Sequence, residues 1–457
     1  MSRDLTKGNP AKVLISFILP MLLSVVFQQM YNLADSMIAG KYAGEDALAA
    51  VGASYSVTML FMAVALGSNI GCSVVIAGLF GAKDYTKMKT AIFTSFIAAG
   101  VLAVILTIAG LGYSSNIMEL IQTPENIFAD SELYLQIYIG GFAFLYLYNV
   151  ATGVFNSLGD SRTPLYFLIF SSVGNIVLDY VFVKYFNWGV AGVAWATFIA
   201  QGVACVLAVV TLLVKLKKIE TSGTPKAFSG DILLKIGRIA LPSIAQQSFI
   251  SVGNVFIQSL INSFGSSVIA GYSASIKVNT VVTTCLTTVG NGVSQYSGQN
   301  KGAGNEERIK AGASAGVKIA LIISVIFSVV IFVFRKTIVG MFLNEDATAQ
   351  ALEAGMQFLM IVAPFYVVIG IKLAMDGVLR GTGDLVDFMI ATFTDLILRV
   401  ILAYVFSGAF NLIFGWLGDG VDASIGIWLS WPFGWVLGAL LSCIFYKSGR
   451  WKKCRIV

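Results

Sequence analysis

Along this chain the apolar positions fall in long runs, with neither the alternation of a half-buried strand nor the three-and-four spacing of a surface helix. Twelve runs are long enough for a helix to cross a bilayer, which takes about 20 residues: 11–39, 47–80, 90–113, 129–157, 164–184, 188–214, 236–264, 268–299, 311–334, 353–379, 386–408 and 421–446. Several are much longer, so tilt or extension beyond the membrane is expected. The first is too long for a secretory signal and has no small-residue cleavage site behind a short apolar core. The pattern predicts an all-α polytopic membrane protein with twelve transmembrane helices.

Polar residues inside these runs are sparse and ordered. The stretch FQQMYNLADSMIAG, residues 27–40, carries Asp35 deep in the first run. An Asp at the centre of a membrane helix costs about 2.5–3.5 kcal/mol on insertion scales. Gln28, Tyr31, Asn32 and Asp35 share one helical face, and in the fifth run Ser171, Asn175 and Asp179 share another. Neither acid has a basic residue within a turn on its own helix, so each stripe must face protein or water. Thr58 in the second run and Asn149, Thr152 and Asn156 in the fourth are candidates to complete a polar lining. Such groups can also serve as helix–helix contacts, a role that suits a single Ser, Asn or Thr better than an unpaired Asp. A carboxyl in this setting can carry a proton or, with Asn and Thr oxygens, hold Na⁺.

The second half of the chain differs in charge. Gln247, Ser251, Asn254 and Gln258 form a stripe in the seventh run, and Lys277 in the eighth is an intramembrane cation. It is expected to pair with an acid on another helix, Asp376 or Asp395. Asp376 stands four residues from both Lys372 and Arg380, and Asp395 stands four from Arg399. Those spacings allow local pairing, so the charges are read as neutralising one another. Pro20 lies in the first run, before Asp35, and is expected to bend that helix as Asp35 changes state.

Basic residues orient the chain. Most of its 30 Lys and Arg fall in alternate loops and at the ends, from Arg3 and Lys7 through Lys83, Arg162, the Lys215–Arg238 region, Lys301 and Arg308 to Arg455. The opposite loops hold Lys41, Lys184, Arg335 and Lys336. Both termini are therefore expected on the cytoplasmic side. The basic loop divides the chain into a six-helix lobe at 1–214, a linker at 215–235 and a second lobe at 236–457. The lobes look alike: GEDALAAVGASYSV (44–57) lies over GSSVIAGYSASIKV (265–278), GLFGAKD (78–84) over GQNKGAG (298–304), FNSLGD (155–160) over LRGTGD (379–384), and Pro20 over Pro242. An even number of spans gives both lobes the same orientation, related by a pseudo-twofold along the membrane normal with a cavity between them.

Composition agrees: 57% of residues are hydrophobic and 12% charged, about half the charged share of a soluble protein. The net charge of +6 sits in loops on one side, so it does not suggest nucleic acid. Five scattered cysteines form no CxxC pair, and neither a disulfide framework nor a metal site is expected. With no histidine in the chain, proton chemistry falls first to carboxylates.

Taken together, LPMLLSVVFQQMYNLADSMIAG (19–40), GLFGAKD (78–84), FNSLGDSRTPLYF (155–167), GNIVLDYVFV (174–183), GVAGVAWAT (189–197) and LRGTGD (379–384) resemble the MATE family, the multidrug and toxic compound extrusion transporters. The resemblance covers essentially the whole chain. It is greatest to the DinF-type prokaryotic branch, which places an Asp on the first helix and Asn-x-x-x-Asp on the fifth, here Asp35, Asn175 and Asp179. It implies two lobes in a V, alternating access in a bacterial or archaeal cytoplasmic membrane, and export of bulky, often cationic, amphipathic compounds in exchange for H⁺ or Na⁺. Those three residues would form the cation site. The chain departs from the NorM-type pattern, whose second lobe carries an acidic cation site, because its second-lobe acids sit beside basic residues. Lys277 and Arg399 also leave open whether the substrate is cationic.

Other classes fit less well. A flippase for lipid-linked oligosaccharides shares the two-lobe design but favours many basic cavity residues and often more spans. A channel or receptor would need a filter-like loop or a sensor domain. An ATP-driven pump would need a phosphate-binding motif, and GxxxxGK[ST] is absent. The expectation is a monomeric transporter, not an enzyme, with no cofactor beyond the coupling ion and with small molecules and the bilayer as its partners.

Overall fold

Long apolar runs in a medium without water must satisfy their backbone internally, and a helix does so within one segment. The computed structural model describes residues 4–343, 347–409 and 423–454, and every regular element among them is helical. They are α1 (Pro10–Ile38), α2 (Glu45–Gly81), α3 (Tyr85–Gly112), α4 (Ser114–Leu120), α5 (Glu125–Gly140), α6 (Phe142–Ser157), α7 (Arg162–Tyr180), α8 (Gly189–Lys217), α9 (Gly230–Asn262), α10 (Ser266–Gly302), α11 (Glu306–Gly340), α12 (Ala349–Val362), α13 (Tyr366–Thr382), α14 (Leu385–Gly408) and α15 (Ser424–Ser448). Each expected span falls on one of these or on an adjoining pair. Residues 421 and 422 of the twelfth run, Arg3 and Arg455 lie outside the described residues.

The fourth run is a bent pair, α5 and α6, which meet at 46° around Gly141. Among the described residues nine stretches are long and apolar enough to cross a membrane, ten with the bent pair counted as one span. The other two expected spans, α9 and α10, are 33 and 37 residues long but more polar. The polarity of α10 has a structural reason: Ser294, Gln295, Ser297, Gln299 and Asn300 are all buried within the protein. α1 runs through Pro20 as one helix and passes into a π-helical turn at Ala39–Ala43. α7 likewise passes into a π turn at Val181–Tyr185.

Matched sequences in the two halves fold alike. GAKD (81–84) and GAGN (302–305) each place their third residue at positive φ, Lys83 at 58° and Gly304 at 70°. The fourth residue of each, Asp84 or Asn305, accepts the backbone N–H of the third helical residue that follows and caps that helix. FNSLGD and LRGTGD both turn on a left-handed glycine, Gly159 and Gly383.

The halves exchange the first turns of their leading helices. Leu14, Phe17 and Ile18 of α1 pack into the core of the second half, beside Leu286, Val289 and Val293. Ile232, Ile236 and Ile239 of α9 pack into the core of the first half. Pro20 and Pro242 both follow directly after these exchanged stretches. The halves meet at the end that carries the basic loops. There Gln295 Nε2 donates to Ser73 Oγ at 2.8 Å, and Gln299 Nε2 donates to the Ser157 carbonyl at 2.7 Å. The segment before α1 is held in the same seam: Leu5 N donates to Gln299 Oε1 at 2.9 Å, and Arg308 donates to the carbonyls of Gly8 and Leu5.

Candidate functional site

α1 and α7 pack along one another and bring their last turns together, which places Asp35 against Asp179. The two carboxyls come within hydrogen-bonding reach of each other. Asp179 and Asn175 are almost fully buried, and they sit one turn apart on the same face of α7. Asp35 Oδ1, both oxygens of Asp179 and Asn175 Oδ1 are buried with no donor bonded to them. Asn175 uses its amide on α8, donating to Thr197 Oγ1 at 3.4 Å. Tyr31 from α1 stands beside Thr197, and Tyr134 from α5 lies near both carboxyls. Two like unit charges 4 Å apart repel by roughly 4 kcal/mol even at an effective dielectric constant of 20. A closed group of acceptor oxygens with no donor is satisfied by a proton between the carboxyls or by a small cation.

Asp35, Asn175, Asp179 and Tyr31 are thus brought together, and the other stripe residues are not. Gln28 and Asn32 lie exposed, and Asn32 contacts Gln29 at 3.5 Å. Thr58 Oγ1 donates to the Tyr55 carbonyl at 2.9 Å, and Asn149 donates to the Leu145 carbonyl at 2.8 Å, each on its own helix. Thr152 pairs with the Tyr148 hydroxyl one turn away, and Asn156 buries an unbonded Oδ1 on α6. Tyr134 and Thr197 escaped the sequence reading. Tyr134 lies in an ordinary aromatic-rich stretch, and Thr197 lies in an ordinary apolar one, GVAGVAWAT. No periodicity links either one to α1 or α7.

In the second half the charges form a network that corrects two expectations. Lys372 Nζ stands 2.8 Å from Asp376 Oδ2 and 3.4 Å from Asp395 Oδ2, so one ammonium serves two buried carboxylates. Ser442 Oγ donates to the other oxygen of Asp376 at 2.5 Å. The partner of Asp395 is therefore Lys372 on α13 and not Arg399 four residues on. Arg399 lies over the Trp431 ring at 4.3 Å and donates to Asn254 Oδ1 at 3.4 Å. Arg380 donates to Asn291 at 2.6 Å. Lys277 pairs with neither Asp376 nor Asp395: it is exposed, with its ammonium 5.7 Å from the centre of the Phe342 ring. Lys372, which reaches both acids, already takes the role expected of Lys277. Gln258 also stays local, donating to Asn262 at 2.9 Å.

Known proteins share this architecture. The MatE family model matches the chain twice, over residues 20–181 and 242–405, once on each side of the basic loop. The chain is 30% identical over 455 residues to the probable multidrug resistance protein YpnP of Bacillus subtilis (strain 168), covering 99% of this chain and 98% of that one. It is 27% identical over 448 residues to the probable multidrug resistance protein YoeA of the same organism, covering 96% and 94%. A solved outward-facing multidrug resistance MATE family transporter of the MOP superfamily superposes with a TM-score of 0.90 at 23% identity, over 99% of each chain. This is an all-helical, multi-pass membrane protein with the MATE fold, and the chain belongs to the MatE family of transporters.

Proposed function

We propose that this protein is a secondary antiporter that exports bulky, cationic amphipathic compounds in exchange for H⁺ or Na⁺, with Asp35 and Asp179 as the coupling pair and Asn175 beside them. The observation that carries the reading is the buried set of carboxyl and amide oxygens with no donor. The relatives named as multidrug resistance proteins support the export of drug-like substrates. The Asp and Asn-x-x-x-Asp arrangement supports placement in the DinF-type branch. Two lobes, 1–214 and 236–457, joined by a cytoplasmic linker at 215–235, rock about the site in a cytoplasmic membrane, in a monomer with both termini inside. Cation loading from outside favours the inward-open state, and ion loss there favours substrate binding. Each ligand must differ in its affinity for the two states to couple them. A change in the bend of α1 at Pro20 relays the change at Asp35.

The test is movement of a fluorescent lipophilic cation in reconstituted vesicles under an imposed H⁺ or Na⁺ gradient. Gradient-driven movement in the parent and its loss in Asp35→Asn and Asp179→Asn are expected, and the effective gradient names the ion. Movement in Asp35→Asn equal to the parent would remove Asp35 from the mechanism. In the same assay Pro20→Ala is expected to slow exchange, and normal exchange would remove the bend.

A further inference from the structure

Asp179 is fully buried and Asn175 nearly so, and a cation that loads the pair therefore needs a way in. Two cavities mark one, along the seam between α5 and α8. The outer cavity, about 360 Å³, lies at the end of the molecule opposite the basic loops. Asp130 and Leu133 of α5 line it, with Val190 and Ala191 of α8 and Asn187 from the loop before α8. The inner cavity, about 20 Å³, has room for roughly one water. Tyr134 and Tyr138 of α5 line it, with Ala194, Thr197 and Gln201 of α8. It sits at the 46° bend around Gly141, where α8 packs against two helices that run in different directions.

The two cavities follow one another along the same helix faces. Asp130, Tyr134 and Tyr138 fall every four residues on α5, and Val190, Ala194, Thr197 and Gln201 share one face of α8. Tyr134 stands where the cavities meet. It lines the inner one and packs against the cluster of Ala47 and Val190, which line the outer one. At the inner cavity Thr197 holds the Asn175 amide, and Tyr134 lies near both carboxyls. The seam thus leads from the outer surface to the donor-free oxygens of the pair. Every residue lining either cavity belongs to the first half, so this route does not pass between the halves. A passage one water wide admits a small cation and excludes a bulky organic one. Asp130 is exposed at its mouth, where a carboxylate raises the local concentration of cations.

We propose that the coupling cation reaches Asp35 and Asp179 along the α5–α8 seam, with Asp130 gathering cations at the mouth and Tyr134 gating the passage. This route is separate from the cleft between the halves that a bulky substrate needs. The inference rests on the reading of Asp35 and Asp179 as the coupling pair. Separate routes let the cation load while substrate still occupies the cleft, so loading itself drives substrate out.

The test uses the full chain in nanodiscs, in a cysteine-free background carrying Ala191→Cys, with a fluorescent lipophilic cation bound. Benzyl methanethiosulfonate then fills the outer cavity with a neutral group. Two quantities are compared before and after modification. One is the H⁺ or Na⁺ concentration that displaces half the dye at equilibrium, and the other is the slope of displacement rate against cation concentration in stopped flow. A blocked route slows entry and exit alike, so the slope is expected to fall about tenfold while the half-displacing concentration stays within about twofold. Asp130→Asn should lower the slope about threefold at low ionic strength and leave it unchanged at high, because steering is screened by salt. An equal slope at low ionic strength removes Asp130 from the mouth. A slope untouched by the adduct means that the cation enters elsewhere, and it overturns the proposal while leaving the coupling pair standing. A slope and a half-displacing concentration that change together also overturn it, because the adduct then perturbs the site itself. If neither cation displaces dye from the unmodified protein, the coupling pair fails and the route fails with it.

Discussion

Two lysines inside the second half show how position decides what a charge does. Lys372 is buried between Asp376 and Asp395, while Lys277 is exposed with a single aromatic ring, Phe342, for company. Removing one member of a buried ion pair costs about 3–5 kcal/mol because the remaining charge is left uncompensated, and here one removal strands two acids. Lys372→Met is therefore expected to destabilise the protein by at least that amount, read as a large fall in the thermal midpoint in micelles. Neutralising both acids as well, in Lys372→Met/Asp376→Asn/Asp395→Asn, should recover most of it. Lys277→Met is the control, with an expected change within about 0.5 kcal/mol. A Lys372→Met protein that melts with the parent would mean that the three groups are not a closed network. At this scale the sequence was informative where a charge interrupted an apolar run. It did not resolve partners, because an i,i+4 spacing permits a pair and cannot exclude a better-placed group on another helix. Asp395 chose Lys372 for that reason. Tyr134 and Thr197 carried no signal at all, since neither type is unusual in a membrane helix.

At the scale of elements, apolar length was sufficient to find the helices, and turn chemistry was sufficient to find the repeat. The positive φ of Gly159 and Gly383 and the caps at Asp84 and Asn305 follow from local residue types. The exchange of first turns between halves did not follow, because a stripe such as Leu14, Phe17 and Ile18 records that a face is buried and not whose core receives it. Loop acids were likewise ambiguous until their surroundings were visible. Asp160, between α6 and α7, is an example. Burial by itself raises its carboxyl, but bonds from Lys215 Nζ at 2.5 Å and Thr163 Oγ1 at 2.7 Å outweigh that and hold it below the usual carboxylate range. A group depressed on folding adds stability above its unfolded pKa, near 4, and that stability is lost as pH falls through the folded value. The gap in thermal midpoint between the parent and Lys215→Met should therefore be widest near neutral pH and close below about pH 4. A gap that is constant from pH 7 to pH 3 would show that Lys215 stabilises by packing alone.

At the scale of the whole molecule, what remains is which end is open. The halves join where the basic loops lie, and the join is made by backbone approaching backbone. A Cβ on Gly81 would lie 1.9 Å from the carbonyl oxygen of Gln299, and one on Gly302 would lie 1.9 Å from that of Gly78. α2 and α10 thus cross at two glycines, one from each half. No side chain can be accommodated at either position while the seam stays shut, because the atoms it would meet belong to backbone. Beside the crossing, the side-chain amides of Gln295 and Gln299 donate across the same seam, to Ser73 Oγ and to the Ser157 carbonyl. Away from the crossing each half also packs apolar residues of its own, Phe142, Leu145 and Tyr146 in the first and Phe358, Tyr366 and Trp428 in the second, so a wedge there should part the halves before it unfolds either one. Gly302→Ala is accordingly expected to shift the protein towards the state open at the basic-loop end, with a modest loss in melting temperature. A Ser73→Cys probe in a cysteine-free background reads this directly, since Ser73 is buried at the seam. Maleimide labelling should be slow in the parent and faster by about an order of magnitude with Gly302→Ala, in step with the population opened. Arg308→Ala, which frees the carbonyls of Leu5 and Gly8 without wedging the helices, should accelerate it less. Labelling as slow with Gly302→Ala as in the parent would mean that the closed end is held by the segment before α1 and the exchanged helix starts, and that the two glycines only follow.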